Sequence, residues 1–181
     1  MKALAFATLV IAVSSSPALA AGAPLPTDKA ANLALKQCVE HSLGTLAINN
    51  QNAKQLEGLG FQYQRNAPDF LSSTKSTSMG EAEYIKSPSD QGEVWDAGYD
   101  KGHCLLVTAA AVVAPIEKAY LDYFNQSGGQ WRAEKAPSGG SKGERRLQYT
   151  MSQTRVTTLT ATVSLKDDEG VTSVTIMRKT R

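Results

Sequence analysis

The chain has 181 residues, 41% hydrophobic and 20% charged, with a formal net charge of +2. That length supports one domain-sized core, and a balance so near neutral excludes a dedicated nucleic-acid binder.

Residues 1–20 read as a secretory signal. Lys2 supplies the positive start, Ala3 to Val13 an apolar run too short for a membrane span, and Ala18-Leu19-Ala20 a small-x-small cleavage site. Position 21 is Ala, so no lipid-anchor cysteine follows the cut. The remaining segment, 21–181, reads as a single α+β domain. No later stretch is long and apolar enough to cross a bilayer as a helix. The expected location is the periplasm or the exterior. Charge is unevenly spread, with 7 Lys/Arg against 10 Asp/Glu in residues 21–101 and 11 against 7 in residues 102–181.

Thr27 or Asp28 can cap a first helix. Ala31, Leu35, Cys38, Val39, Ser42 and Leu46 form its apolar stripe. A short second helix is expected over about 52–58, with Leu56 and Leu59 inward. Gly60 to Tyr63 begins an extended stretch. Ala67 to Leu71 makes a turn or short helix that presses Phe70 and Leu71 inward, and Ser72 to Ser78 is polar and loop-like. Gly80–Lys86 and Glu93–Asp96 read as strands.

His103 to Val107 is a continuous apolar run, as expected of a strand buried on both faces. Pro115 is well placed at the start of a helix, because its missing N–H would have no partner there. Ile116, Ala119, Tyr120, Tyr123 and Phe124 share one face of that helix, and Gly128-Gly129 ends it. The aromatic stripe is core packing rather than a ligand box.

Gln130 to Glu134 is the next strand, and 136–143 (APSGGSKG) a flexible loop. Leu147, Tyr149 and Met151 then alternate with polar residues. Leu159, Ala161, Val163 and Leu165 alternate with Thr158, Thr160, Thr162 and Ser164. Period two means one buried face and one wet face. Asp167 to Gly170 is a hairpin turn, and Val174 and Ile176 line the last strand.

The predicted fold is α+β, with helices packed on one face of an antiparallel sheet. A helix followed by about four strands occurs in each half, about 28–111 and 112–181. This is repetition of element order, not of sequence.

The two cysteines are expected to pair in an oxidising compartment. A Cys38–Cys104 disulfide would close a loop of about 67 residues, worth roughly 4 kcal/mol on the loop-entropy account. The two histidines, His41 and His103, lie beside these cysteines. A Cys₂His₂ zinc site is disfavoured, because neighbours on a strand point to opposite faces and oxidation removes the thiolates. No metal and no cofactor is therefore expected. Ser72-Ser73-Thr74-Lys75 matches S-x-x-K, but its partner motifs are missing. No G-x-S-x-G, P-loop or dinucleotide fingerprint occurs. Asp167, Asp168 and Glu169 lack calcium-loop spacing.

What remains is a surface. Thr158, Thr160, Thr162 and Ser164 should share a solvent face with Thr150, Ser152, Ser173 and Thr175. Arg145, Arg146, Arg155, Arg178 and Arg181 should lie at the strand ends as a basic rim. Such a face suits an envelope or secreted protein, or an acidic polymer. Threonine is also simply favoured on solvated strands.

The chain resembles a family of small exported proteobacterial proteins of unknown function. The resemblance runs from Cys38 to Trp131, through Gly60-Phe61, Ala67-Pro68-x-Phe70-Leu71, Gly80-Glu81-Ala82, Val94-Trp95, Gly102-His103-Cys104 and Gly128-Gly129-x-Trp131. It implies export and a paired cysteine, and supplies no activity. The helix-then-four-strands order is also similar, at fold level only, to β-lactamase inhibitor proteins, which bind enzymes with a concave sheet.

The expected function is a non-catalytic periplasmic or secreted binding or accessory protein, inhibitor-like in mode. The alternatives are a small hydrolase using carboxylates such as Glu81, Glu83, Asp96 or Asp100, and a passive envelope component.

Overall fold

The computed structural model describes residues 23–68, 71, 79–138 and 142–180. Residues 1–20, read as a secretory leader from the sequence, together with Phe70, Arg181 and the S-x-x-K motif, lie outside the described residues.

Helix α1 (Thr27–Leu43) buries Ala31, Leu35, Cys38, Val39 and Ser42, the stripe its spacing predicts. Its cap differs from expectation. Pro26 holds the N-cap position with no side-chain cap bond. Thr27 is already helical, and its hydroxyl bonds across to the Ser89 hydroxyl at 3.0 Å and to the Gln91 carbonyl. Gly44 ends the helix at φ 79°, a left-handed turn that favours glycine, and its N–H bonds back to the His41 carbonyl.

A 3₁₀ turn (Asn50–Asn52) leads into α2 (Ala53–Gly58). Leu56 is buried, but Leu59 is 50% exposed, against expectation. Leu59 falls just after the helix, where its N–H closes the last turn and its side chain leaves the apolar face.

Strands β1 (Gln62–Gln64), β2 (Ala82–Lys86), β3 (Glu93–Tyr99) and β4 (Cys104–Ala109) follow. Helix α3 (Ala114–Gln126) precedes β5 (Arg132–Glu134), β6 (Glu144–Ser152), β7 (Thr157–Lys166) and β8 (Val171–Thr180). All eight strands form one sheet in the order β1-β2-β3-β4-β8-β7-β6-β5, and every pairing is antiparallel. Helix then four strands thus occurs twice, and the last strands of the two runs, β4 and β8, lie side by side at the centre.

Both long helices pack on one face of this α+β sheet. Ile85, Val94, Leu106, Leu159, Val163, Leu165, Val174 and Ile176 meet them from the strands. Helix α3 turns Ile116, Tyr120 and Phe124 inward. Phe124 stacks on Tyr149 at 4.4 Å and meets Trp131 edge-on at 5.1 Å. Such ring pairs contribute about 1 kcal/mol each beyond their buried area.

The other face is divided. Over β2, β3 and β4, a second apolar cluster gathers Tyr84, Trp95, Ala97, Tyr99 and Val107 beneath Leu71 and Met79. Residues of β3 are therefore buried on both faces. Over β5 to β8 the face is half-exposed, with the strict alternation of β7 intact.

Candidate functional site

The half-exposed region is a lattice of hydroxyls. Across the sheet Thr150 pairs with Thr160, and Thr160 with Met177. Gln148 pairs with Thr162 and then Thr175, and Arg146 with Ser164 and then Ser173. Ser152, Thr158 and Lys179 form the row at one end. Neighbouring groups stand about 4.8 Å apart across strands and about 6.7 Å apart along them. Met177 is 40% exposed on β8, at the inner border of this field. At its margin the Thr150 hydroxyl donates to Glu134 at 3.1 Å, and Arg132 lies opposite Thr150 on β5.

The arginines expected to rim this face go to separate places. Arg145 alternates onto the helix side of β6. It donates two 2.8 Å bonds to Glu117 of α3 and one of 3.2 Å to Asp167. These carboxylates raise its already high pKa, and Arg145 in turn holds Glu117 below the usual carboxylate range. Arg146 is on the hydroxyl face, bonded to Glu144 at 2.7 and 2.9 Å. Arg155 is exposed in the turn between β6 and β7, at the far end of these strands. About seven residues of β6 separate it from Arg145 and Arg146, roughly 23 Å at the strand rise. Arg178 lies on the helix side of β8, beside the C-terminal end of α1. A Cβ on Gly44 would sit 3.6 Å from its Nη1. A cation there complements the partial negative charge of the helix end.

Arg178 also borders a groove of about 1020 Å³ beside β2 and β3. Its charged lining is Arg65, Glu81, Glu83, Asp100, Lys101 and Arg178. Three of the four carboxylates singled out from the sequence therefore share one groove. Glu83 accepts a hydrogen bond from the Tyr63 hydroxyl, and burial, with this bond second, pushes that phenol up to about 12.

The fourth carboxylate, Asp96, is elsewhere. It is 1% exposed, and among the described residues neither of its oxygens has a hydrogen-bond partner. Burial pushes its carboxyl well above the ordinary range and so favours the neutral acid. Cys38 and Cys104 form the expected disulfide, staple α1 to the centre of the sheet, and are fully buried. An Asp96 oxygen and the two sulfurs lie within 4.8 Å of one another. Sulfurs bonded to each other are not thiolate ligands, so this trio is a buried acid beside a disulfide rather than a metal set.

Both histidines serve the backbone. His41 accepts from the Ile48 N–H at 2.9 Å through Nδ1 and donates from Nε2 to the Tyr99 carbonyl at 3.0 Å. Burial lowers its pKa and favours the neutral ring, and these two bonds set its tautomer, with the proton on Nε2. His103 accepts from the Arg178 N–H at 3.0 Å. In the β7–β8 turn, Asp167 pairs with Arg145 and Glu169 with Lys166.

Two of the groove's three cations, Arg65 and Lys101, were missed by sequence reasoning, while Arg178 was singled out but assigned to the hydroxyl face. Arg65 and Lys101 sit in irregular segments after β1 and before β4, where no periodicity reports a direction. No family model, no curated protein and no solved structure matches the chain.

Proposed function

We propose that the chain is an exported, non-catalytic binding protein that engages an envelope or secreted protein through the open face of β5 to β8. The observation that carries this reading is the uncovered hydroxyl lattice itself. Half of that side of the sheet is buried under Leu71 and Met79, while the half bearing Thr158, Thr160 and Thr162 has no described element over it. Its charged positions are Arg132, Arg146, Lys166 and Lys179 against Glu134 and Glu144. That excess favours a partner with an acidic patch and a salt-sensitive association. The leader-like residues 1–20 and the disulfide support an oxidising destination. The inhibitor-like mode rests on analogy of element order.

The test is capture from an envelope extract by the oxidised chain 21–181, read by methionine footprinting. A genuine face-to-face complex shields Met177 from oxidation and dissociates as salt rises. A captured protein that leaves Met177 as reactive as in the free chain counts against this face. The hydrolase reading keeps Glu81, Glu83 and Asp100 in one groove and loses Asp96. Turnover of a peptide or ester by the native chain, absent in Glu83→Gln, would favour it.

A further inference from the structure

The groove carries a separate inference, independent of the hydroxyl face. Its six charged side chains comprise three cations, Arg65, Lys101 and Arg178, and three anions, Glu81, Glu83 and Asp100. None of them forms an ion pair within the described residues, whose salt bridges all lie elsewhere. Three charges of each sign thus line one recess with no close ion pair between them among the described residues.

A backbone edge opens into the same recess. β1 pairs with β2 only at Tyr84, Ile85 and Lys86, so β2 continues past the end of its partner. The Glu81 carbonyl accepts from the Asp100 N–H, and the Ser87 N–H donates to the Val94 carbonyl. Odd-numbered residues of β2 therefore aim their backbone groups at β3. By alternation Ala82 aims its N–H and C=O outward, beyond the end of β1. Ala82 lines the groove. On the neighbouring strand β3, Gly98 also lines the groove, packed so closely that an added Cβ would come within 2.6 Å of Ile48 and 2.9 Å of His41.

We infer that this groove binds a short peptide with free termini. The peptide backbone adds to the β2 edge at Ala82, as extended ligands add to exposed strands. Its terminal carboxylate is met by the guanidinium groups and its ammonium by the carboxylates. A groove of this volume is at the upper end of small-ligand sites and has room for several residues.

The experiment is a titration of the oxidised chain 21–181 followed by amide chemical shifts. The probes are trialanine with free termini, N-acetyl-trialanine amide and free alanine. Trialanine is expected to shift Ala82, Glu83 and Gly98, and to bind at least tenfold more tightly than either other probe. Arg65→Ala and Glu81→Gln change exposed residues, so the fold and melting temperature hold while trialanine affinity falls about fivefold in each. No shift at these amides with millimolar trialanine overturns the proposal. So does equal affinity for the capped peptide, which would leave the charges without a role. Equal affinity for free alanine would make the site an amino-acid site and remove the strand-edge argument. Unchanged affinity in both variants would also overturn it.

Discussion

Asp96 of β3 sits beside the Cys104 sulfur, 1% exposed, and its carboxyl oxygens have no hydrogen-bond partner among the described residues. Period two puts it there. Val94, Asp96 and Gly98 share the helix-facing side of the strand, and Asp96 stands opposite Leu106 on β4.

The pH dependence follows from the raised carboxyl. Below about 3.8, its ordinary value, Asp96 is protonated in both the folded and unfolded chains. As pH rises above that value the unfolded chain ionises while the folded chain retains the proton, so stability falls until the folded pKa is passed. Asp96→Asn removes that slope. Denaturant midpoints measured from pH 3 to pH 8 should show the variant gaining on the native chain as pH rises. A constant difference across that range would mean that Asp96 is not a buried neutral acid.

The disulfide ties helix α1 to the central strand across a sequence separation of 66 residues. Replacing both cysteines by alanine should lower stability by about 4 kcal/mol, chiefly by freeing the unfolded chain. Reversible denaturant unfolding with and without reductant measures it. A loss under about 1 kcal/mol would show that the staple contributes little.

Arg145 and Glu117 join β6 to α3 through two parallel bonds, yet Arg145 is half-exposed. Solvent screening limits the pair to about 0.5–1 kcal/mol. A double-mutant cycle of Arg145→Ala and Glu117→Gln should return a coupling of that size, smaller at high salt. Partner capture should not change, because Arg145 lies on the helix side of the sheet.

Gly98 is demanded by packing. Gly98→Ala would set a methyl against the Ile48 Cβ and the His41 ring, two groups fixed by the His41 bonds to Ile48 and Tyr99. Overpacking of this kind costs about 1–3 kcal/mol, a melting shift of several degrees for a chain of this length. An unchanged melting temperature would show that the loop around Ile48 yields freely.

The sequence was most legible where a period was long. The α1 stripe, the β7 alternation and the aromatic face of α3 all declared which side is buried. The cysteine pairing was legible because Cys38 lay on the inner stripe and Cys104 in an apolar run. Arg145 and Arg178 were misplaced for a specific reason. Alternation fixes which face each occupies, Arg145 with Leu147 and Arg178 with Ile176, but their charge suggested solvent. Both sit at the ends of those strands, where the helix-facing side reaches the surface. The groove was not legible, because it is built by the irregular stretch after β1, the turn before β4 and the end of β8, which come together only in three dimensions. Asp96 could have been found, since Val94 and Gly98 on either side of it mark an inward-facing row.

The most direct test of the account is the affinity of the captured partner for two single-site variants of the oxidised chain. Thr160→Glu plants a negative charge at the centre of the hydroxyl lattice, between Thr150 and Met177. Lys36→Glu makes a larger charge change at an exposed position on α1, on the opposite side of the sheet. The account predicts that Thr160→Glu weakens binding at least tenfold while Lys36→Glu leaves it within about twofold, with both variants melting like the native chain. Native affinity in Thr160→Glu would contradict the claim that the face of β5 to β8 is the binding surface.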